Sequence, residues 1–289
     1  MNNLNKVALI TGSTRGIGRC ILEKFAKNGY SVVVAGKTLV DTNEKTPGSI
    51  YSVSESIRDK YNVNALPGQL DLRFESNIHG VVNKTMQMFG RIDVLINNAG
   101  ALWWDTVLNT PHNKFDLIND INVRGSYLMA RECIPHMLNN EDGGHIIMHS
   151  PPLPEPTDTS IYKGKAAYMV SKLGMTMVAM GMAEELRNTK IRVNTIWPQT
   201  PIKSYALMNF GIGEEKFWRK PEIIADSVYS ICQEDTSFTG NQLIDEHYLI
   251  SKGHTDFSEY RCDPEFEPPS LNSMFDNINH RNFKMNSNL

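Results

Sequence analysis

Tyr168 and Lys172 are four residues apart in the segment Tyr168-Met169-Val170-Ser171-Lys172. On a helix, positions i and i+4 share one face. A phenol and an ammonium on that face form a chemical unit. The cation favours the ionised phenol, and the phenol can then exchange a proton with a substrate oxygen. Far upstream, an apolar run ends in Thr11-Gly12-Ser13-Thr14-Arg15-Gly16-Ile17-Gly18. Such a turn between a strand and a helix offers backbone N–H groups and the positive helix end to a phosphate. Its glycines allow a tight turn and close approach of a pyrophosphate. The spacing is G-x-x-x-G-x-G, not the G-x-G-x-x-G of the common dinucleotide fingerprint. Together the two signals point to a redox enzyme with a place for a cofactor.

The elements that must position these groups follow from hydrophobic period and breakers. Apolar runs at 7–10, 31–35, 65–72, 92–96, 145–149, 191–196 and 242–250 read as strands. Helical patterns cover 17–27, 52–61, 75–89, 111–138, 163–187 and 221–232, the first closed by Asn28-Gly29. The polar stretch 37–50 reads as a loop. Strands alternating with helices require βαβ units and a parallel sheet covered on both faces. The predicted fold is α/β, a doubly wound (Rossmann) three-layer arrangement with a central, mostly parallel seven-stranded sheet. Residues 1–252 are expected to form a single domain. From Ser251 the composition turns rich in Asn, Pro, Asp and Glu, so 253–289 is expected to be a partly ordered or flexible tail.

The chain has 289 residues, 40% of them apolar, and a net charge of −3. That balance gives no reason to expect nucleic acid or an acidic membrane surface as partner. Four widely spaced cysteines without a CxxC pair suggest neither a metal site nor a disulfide framework. No apolar run approaches the length of a membrane span, and no signal segment is read at the start. A cytoplasmic setting is expected. The final Ser287-Asn288-Leu289 partly matches the Ser-Lys-Leu address, which makes the peroxisome the alternative.

Two cations bear on the choice of cofactor. At the end of the second strand, where an NAD enzyme often carries an acid for the ribose 2′-OH, this chain has Ala35-Gly36-Lys37. Arg15 lies inside the glycine turn. Cations without an acid suit a 2′-phosphate, so NADP(H) is the preferred cofactor and NAD(H) a possible one. Asp71, ending the third strand, either accepts from an adenine amino group or starts a turn.

With these residues in order, the chain resembles the short-chain dehydrogenase/reductase family. Thr11 to Gly18, Asn97-Asn98-Ala99-Gly100, Asn122, Ser150, Tyr168 and Lys172 carry the resemblance. Ser150-Pro151-Pro152, the segment 181–185, Trp197-Pro198 and the segment 237–241 are most similar to its hydroxysteroid dehydrogenase-like branch. The resemblance implies that Tyr168 is the acid/base and that Lys172 supports it and holds the nicotinamide ribose. Ser150 would hydrogen-bond the substrate oxygen, and Asn122 would hold a water that links Lys172 to solvent, or merely cap or kink its helix. Asn98, Ala99 and Gly100 would line the cofactor. Backbone near Ile202, with a hydroxyl from Thr200 or Ser204, would meet the carboxamide. The gap from Ser150 to Tyr168 is longer than the family's usual spacing, so Thr157 or Ser160 could take the place of Ser150. His149, ending a strand, reads as a structural hydrogen-bonding residue.

On the substrate side, Trp103-Trp104 follow the Asn-Asn-Ala-Gly segment. Tyr205, Leu207, Met208, Phe210, Phe217 and Trp218 occupy the segment that covers substrate in the family. Such a lid suits an apolar carbonyl or alcohol of fatty aldehyde, ketone or steroid type; these side chains could equally pack the lid on the body or fill a subunit interface. The alternative reading is a cofactor-binding sensor, or a lipid-related interaction protein, with little turnover. Family likeness implies a homodimer or homotetramer through the two long helices.

Overall fold

The computed structural model describes residues 5–41, 48–154 and 162–271. Seven strands form one sheet in the order β3-β2-β1-β4-β5-β6-β7. They are β1 Val7–Thr11, β2 Ser31–Gly36, β3 Ala65–Gln69, β4 Val94–Asn97, β5 Gly144–His149, β6 Ile191–Trp197 and β7 Gln242–Ile244. Every pairing is parallel. The central strands are buried throughout because helices cover both sides. Alternate residues feed the two layers. Ile10, Val34 and Ile96 meet α1 (Gly16–Lys27), α2 (Ile50–Tyr61) and α8 (Glu222–Ile231). Leu9, Val33 and Ile146 meet α3 (Glu75–Phe89), α5 (Ser126–Leu138) and α6 (Ala166–Glu185). The doubly wound α/β expectation is met.

Three elements depart from the sequence expectations. The helical pattern over 111–138 divides into α4 (His112–Asn119), a π-helical segment Asp120–Gly125, and α5. The expected strand over 242–250 ends at Ile244, and Asp245–Ser251 is a helix, α9. Asp245 explains the change: its buried carboxylate accepts from Gln199 N and from Glu246 N, each at 2.7 Å. Acids in the first turn favour a helix start, and Tyr248 and Leu249 then reach the core. The segment after β6 also contains a short helix, α7 (Tyr205–Phe210), which Ser204 caps.

The described part of the tail packs on the body. Tyr260 is 3% exposed within the α1–α8 core layer, and its hydroxyl donates to Asp226 of α8 at 2.8 Å. Cys262 N donates to Trp218 O, and Leu271 N to Gln199 O. Among the described residues, no helix is long and apolar enough to cross a membrane. Removing a buried aromatic costs about 3–5 kcal/mol. Tyr260→Ala should therefore lower unfolding free energy by about 3 kcal/mol in urea titration. A loss under about 0.5 kcal/mol would mean that the tail is not part of the core.

Candidate active site

The carboxyl edge of the sheet opens into a cleft of about 740 Å³ between the β1–α1 turn, the ends of β4 and β5, and the segment after β6. Gly12, at φ +67°, turns the chain out of β1, and a Cβ there would sit 3.0 Å from Ala99 Cα and Cβ. Gly18 has no room for a side chain: a Cβ would lie 2.4 Å from Gly12 O and 2.5 Å from Asn98 Nδ2. Thr11 ties the turn to β4. Its Oγ1 accepts from Asn98 N at 3.1 Å and from Ala99 N at 3.0 Å. Arg15 precedes α1 in extended conformation, and no side chain caps the helix. Its first backbone N–H groups therefore lack side-chain acceptors where Gly16, Ile17 and Gly18 line the cleft. The chain's donors, positive helix end and close backbone approach fit a dinucleotide pyrophosphate.

Thr14, Lys37, Asp71, Asn98, Ala99, Gly100, Tyr168, Lys172 and Ile202 also line this cleft, as the sequence reading expects of them. Ser13 does not line it. Its hydroxyl is buried and accepts from Ala35 N at 3.1 Å, so it holds the end of β2. At the far end of the cleft, Arg15 donates to Thr38 Oγ1 at 2.7 Å. Asp71 pairs with Arg73 at 2.5 Å and also accepts from Arg73 N at 3.1 Å. That guanidinium holds the Asp71 carboxyl below the usual carboxylate range. Asp71 thus starts a turn and is charge-paired. The sequence reading omitted Arg73, whose position two residues after Asp71 was the available signal.

Helix α6 presents Tyr168 and Lys172 to the other end. The Tyr168 ring is half-buried, with Trp104 edge-on at a centroid distance of 6.3 Å. Lys172 is buried, donates to His149 O at 2.8 Å and lies 5.6 Å from the Trp197 ring centroid. The shift of the phenol comes from burial and not from Lys172. Burial alone pushes Tyr168 well above the ordinary phenol range and lowers Lys172 to about 7. Both neutral forms are favoured, since burial penalises charge.

Asn122 lies in the π-helical segment and is fully buried. Its Oδ1 accepts from Ala101 N at 2.8 Å, and its Nδ2 donates to Ala101 O at 3.0 Å and to Ser171 Oγ at 2.9 Å. The side chain clamps the loop after β4 and does not line the cleft. Both ends of this side-chain amide are thus engaged with Ala101 and Ser171. A Cβ on Gly100 would meet Asn122 Oδ1 at 3.2 Å and Lys172 Nζ at 3.5 Å, so both converge on that glycine.

Ser150 sits behind the cleft wall rather than on it. Thr176 Oγ1 is 2.6 Å from Pro151 O and 2.8 Å from Ser150 Oγ. A hydroxyl has one proton. With that proton directed at Pro151 O, the Ser150 hydroxyl turns to Thr176 on α6, away from any substrate oxygen. Thr157 and Ser160 lie outside the described residues. His149 instead lines the cleft, its ring edge-on to Trp197 at 5.6 Å and its Nδ1 3.3 Å from Asn98 Oδ1. Thr200 also lines it, with a buried hydroxyl that has no hydrogen-bond partner among the described residues. Ser204 is engaged as the α7 cap.

The apolar wall is formed by Leu102, Trp104, Leu117, Ile121, Leu207, Ile212 and Leu271. The expected lid aromatics divide. Phe217 packs edge-on against Phe266 at 5.3 Å, Trp218 is buried, and Met208 and Phe210 are exposed. Leu271, from the tail, was not anticipated because nothing local marks it.

The profile of the short chain dehydrogenase family matches residues 6–208, and the chain belongs to that family. Over 269 residues it is 42% identical to hydroxysteroid dehydrogenase-like protein 2 of Danio rerio; the match covers 91% of this chain and 63% of the relative, so the chain spans under two thirds of that protein's length. A crystal structure of a short chain dehydrogenase from Mycobacterium thermoresistibile is 37% identical, with a TM-score of 0.84 over 93% of this chain and 95% of that one. A metagenomic short-chain oxidoreductase in complex with NADP is 26% identical, with a TM-score of 0.66 over 83% of this chain and 96% of that one.

A lysine lowered by burial leaves a signature in stability. From about pH 7 upward, the unfolded chain holds a proton that folded Lys172 has lost. Stability must then rise with pH. Buried thiols oppose the rise only above roughly pH 8.5, where unfolded cysteine ionises. Unfolding free energy should climb by up to about 1.4 kcal/mol per unit between roughly pH 7 and 8.5. Lys172→Met should flatten that climb in urea titrations at fixed ionic strength. A slope that survives the substitution would assign it to another group.

Proposed function

We propose that the chain is an NADP(H)-dependent oxidoreductase that interconverts a carbonyl and an alcohol on an apolar small molecule of fatty aldehyde, ketone or steroid type. The observation that carries this reading is one cleft in which Tyr168 and Lys172 stand between a glycine-lined turn and an apolar wall. Pyrophosphate binds over the N-terminus of α1. Arg15, Lys37 and Arg73 face the adenosine end, where Asp71, the one acid lining the cleft among the described residues, is already paired with Arg73. That balance supports a 2′-phosphate, as does the NADP in the metagenomic structure; NAD(H) binds more weakly. When bound, the nicotinamide supplies hydride chemistry.

The chain's own residues manage the proton. Tyr168 is protonated at neutral pH because burial raises it, so it donates to a carbonyl oxygen without prior activation. In the alcohol direction it must accept a proton, and positive charge on Lys172 is what favours the phenolate. Lys172 has one strong hydrogen bond, to His149 O, and its further N–H groups serve the nicotinamide ribose. Asn122 keeps Ala101 in place in the cleft wall, which would hold the cofactor. Trp104, Leu207 and Leu271 exclude water from the reacting carbon. A homodimer or homotetramer is proposed from the exposed Tyr127 on α5 and Val170 and Met177 on α6. One observation favours a second reading, a cofactor-binding sensor with little turnover: the Ser150 hydroxyl is engaged with Thr176.

General acid–base groups contribute roughly 10²–10⁴-fold. Tyr168→Phe should therefore reduce kcat at least about a hundredfold on any aldehyde, ketone or steroid that oxidises NADPH, with NADPH affinity within a few fold of wild type. Turnover retained by this variant would remove Tyr168 from the mechanism. A charge-assisted bond to phosphate is worth about 1.5–3 kcal/mol. Lys37→Asp should accordingly shift the NADPH-to-NADH ratio of kcat/KM about tenfold or more towards NADH. An unchanged ratio would refute the 2′-phosphate assignment.

A further inference from the structure

His149 ends β5 and contributes to the cleft wall. Its two ring nitrogens can be distinguished. Asn98 Nδ2 donates to Thr11 O at 3.0 Å and lies 3.5 Å from Gly12 O. Those carbonyls fix the amide's orientation, because a flipped amide would set its oxygen against them. Asn98 Oδ1 therefore faces His149 Nδ1, at 3.3 Å. An amide oxygen only accepts, so Nδ1 carries the proton. The ring is neutral: burial, with Lys172 beside it, pushes its pKa down to about 3. A neutral imidazole with its proton on Nδ1 has its lone pair on Nε2. Nε2 is thus a fixed acceptor, and no described residue donates to it. The ring is held in place by Trp197 edge-on at 5.6 Å and by Lys172, which grips the backbone carbonyl of His149 at 2.8 Å.

A fixed acceptor in this wall can take a donor from a bound molecule. The substrate's carbonyl oxygen has no proton to offer, and the alcohol's proton goes to Tyr168. A nicotinamide carboxamide carries two N–H donors and one acceptor oxygen. The Thr200 hydroxyl, which has no partner among the described residues, belongs to a residue lining the same cleft. We propose that His149 Nε2 accepts a hydrogen bond from the carboxamide N–H of the bound nicotinamide and so fixes the orientation of the nicotinamide ring. The inference rests on the nicotinamide dinucleotide reading of the cleft.

The test compares NADPH with its reduced 3-acetylpyridine analogue, in which a methyl group replaces the amide nitrogen. Affinities are measured by isothermal calorimetry for wild type, His149→Leu and His149→Phe. The phenylalanine variant keeps an aromatic ring against Trp197 if the leucine variant folds poorly. One hydrogen bond corresponds to roughly three- to tenfold in affinity. Both variants should lose that factor for NADPH and lose nothing for the analogue, so the preference of wild type for NADPH narrows by the same factor. Equal weakening of both ligands, or no change in either, would overturn the inference and leave the cofactor reading standing. A wild type that binds neither NADPH nor NADH overturns both.

Discussion

The site depends on how two neighbouring strands are held as their chains part. β1 and β4 are adjacent in the sheet, yet the chain leaves them towards opposite faces, to α1 from β1 and to the α4–α5 side from β4. Ligands of open α/β sheets bind in the crevice that such a divergence creates. Here the crevice is pinned by Thr11, whose hydroxyl receives the N–H groups of both Asn98 and Ala99. Asn98 returns its amide to Thr11 O and presents its oxygen to His149. His149 in turn gives its carbonyl to Lys172. One hydrogen-bonded chain thus runs from the glycine turn to Lys172. Gly18 is its steric condition, because any Cβ there would strike Gly12 O and Asn98 together.

Burial sets the character of the Tyr168–Lys172 end. The same burial lowers Lys172 to about 7 and raises Tyr168, so the neutral form of each is favoured. The balance is responsive: groups placed in a dry cleft feel an added charge more strongly than groups in water do. Polar side chains near the pair are engaged structurally. Asn122 clamps Ala101, and Ser150 is tied to α6 through Thr176. The π-helical segment at Asp120–Gly125 brings Asn122 against both the β4 loop and Ser171. Such segments are often found at functional sites.

The C-terminal residues up to 271 close the architecture. Tyr260 extends the α1–α8 core layer, and Leu271 reaches the apolar wall of the cleft while its N–H bonds Gln199. Asp245 holds Gln199 from the other side, so β7, α9 and the tail together fix the segment after β6. That segment supplies Thr200, Ile202 and Leu207 to the cleft.

The sequence alone determined the doubly wound sheet, the glycine turn and the Tyr168–Lys172 pair. Those features are local: continuous apolar runs mark strands buried on two faces, and helical spacing puts i and i+4 together. It misjudged 242–250, where the same apolar residues suit a strand or a helix, and only the bonds of Asp245 to Gln199 and Glu246 decide between them. It read 111–138 as continuous because a π turn has no pattern of its own. The direction of the Ser150 hydroxyl, the pairing of Asp71 with Arg73 and the place of His149 in the cleft wall were also beyond it. Each depends on a partner from elsewhere in the fold or on a side-chain direction, and hydrogen-bond geometry across elements leaves no periodic trace in a chain. Only the tertiary structure sets the burial that raises Tyr168 and lowers Lys172.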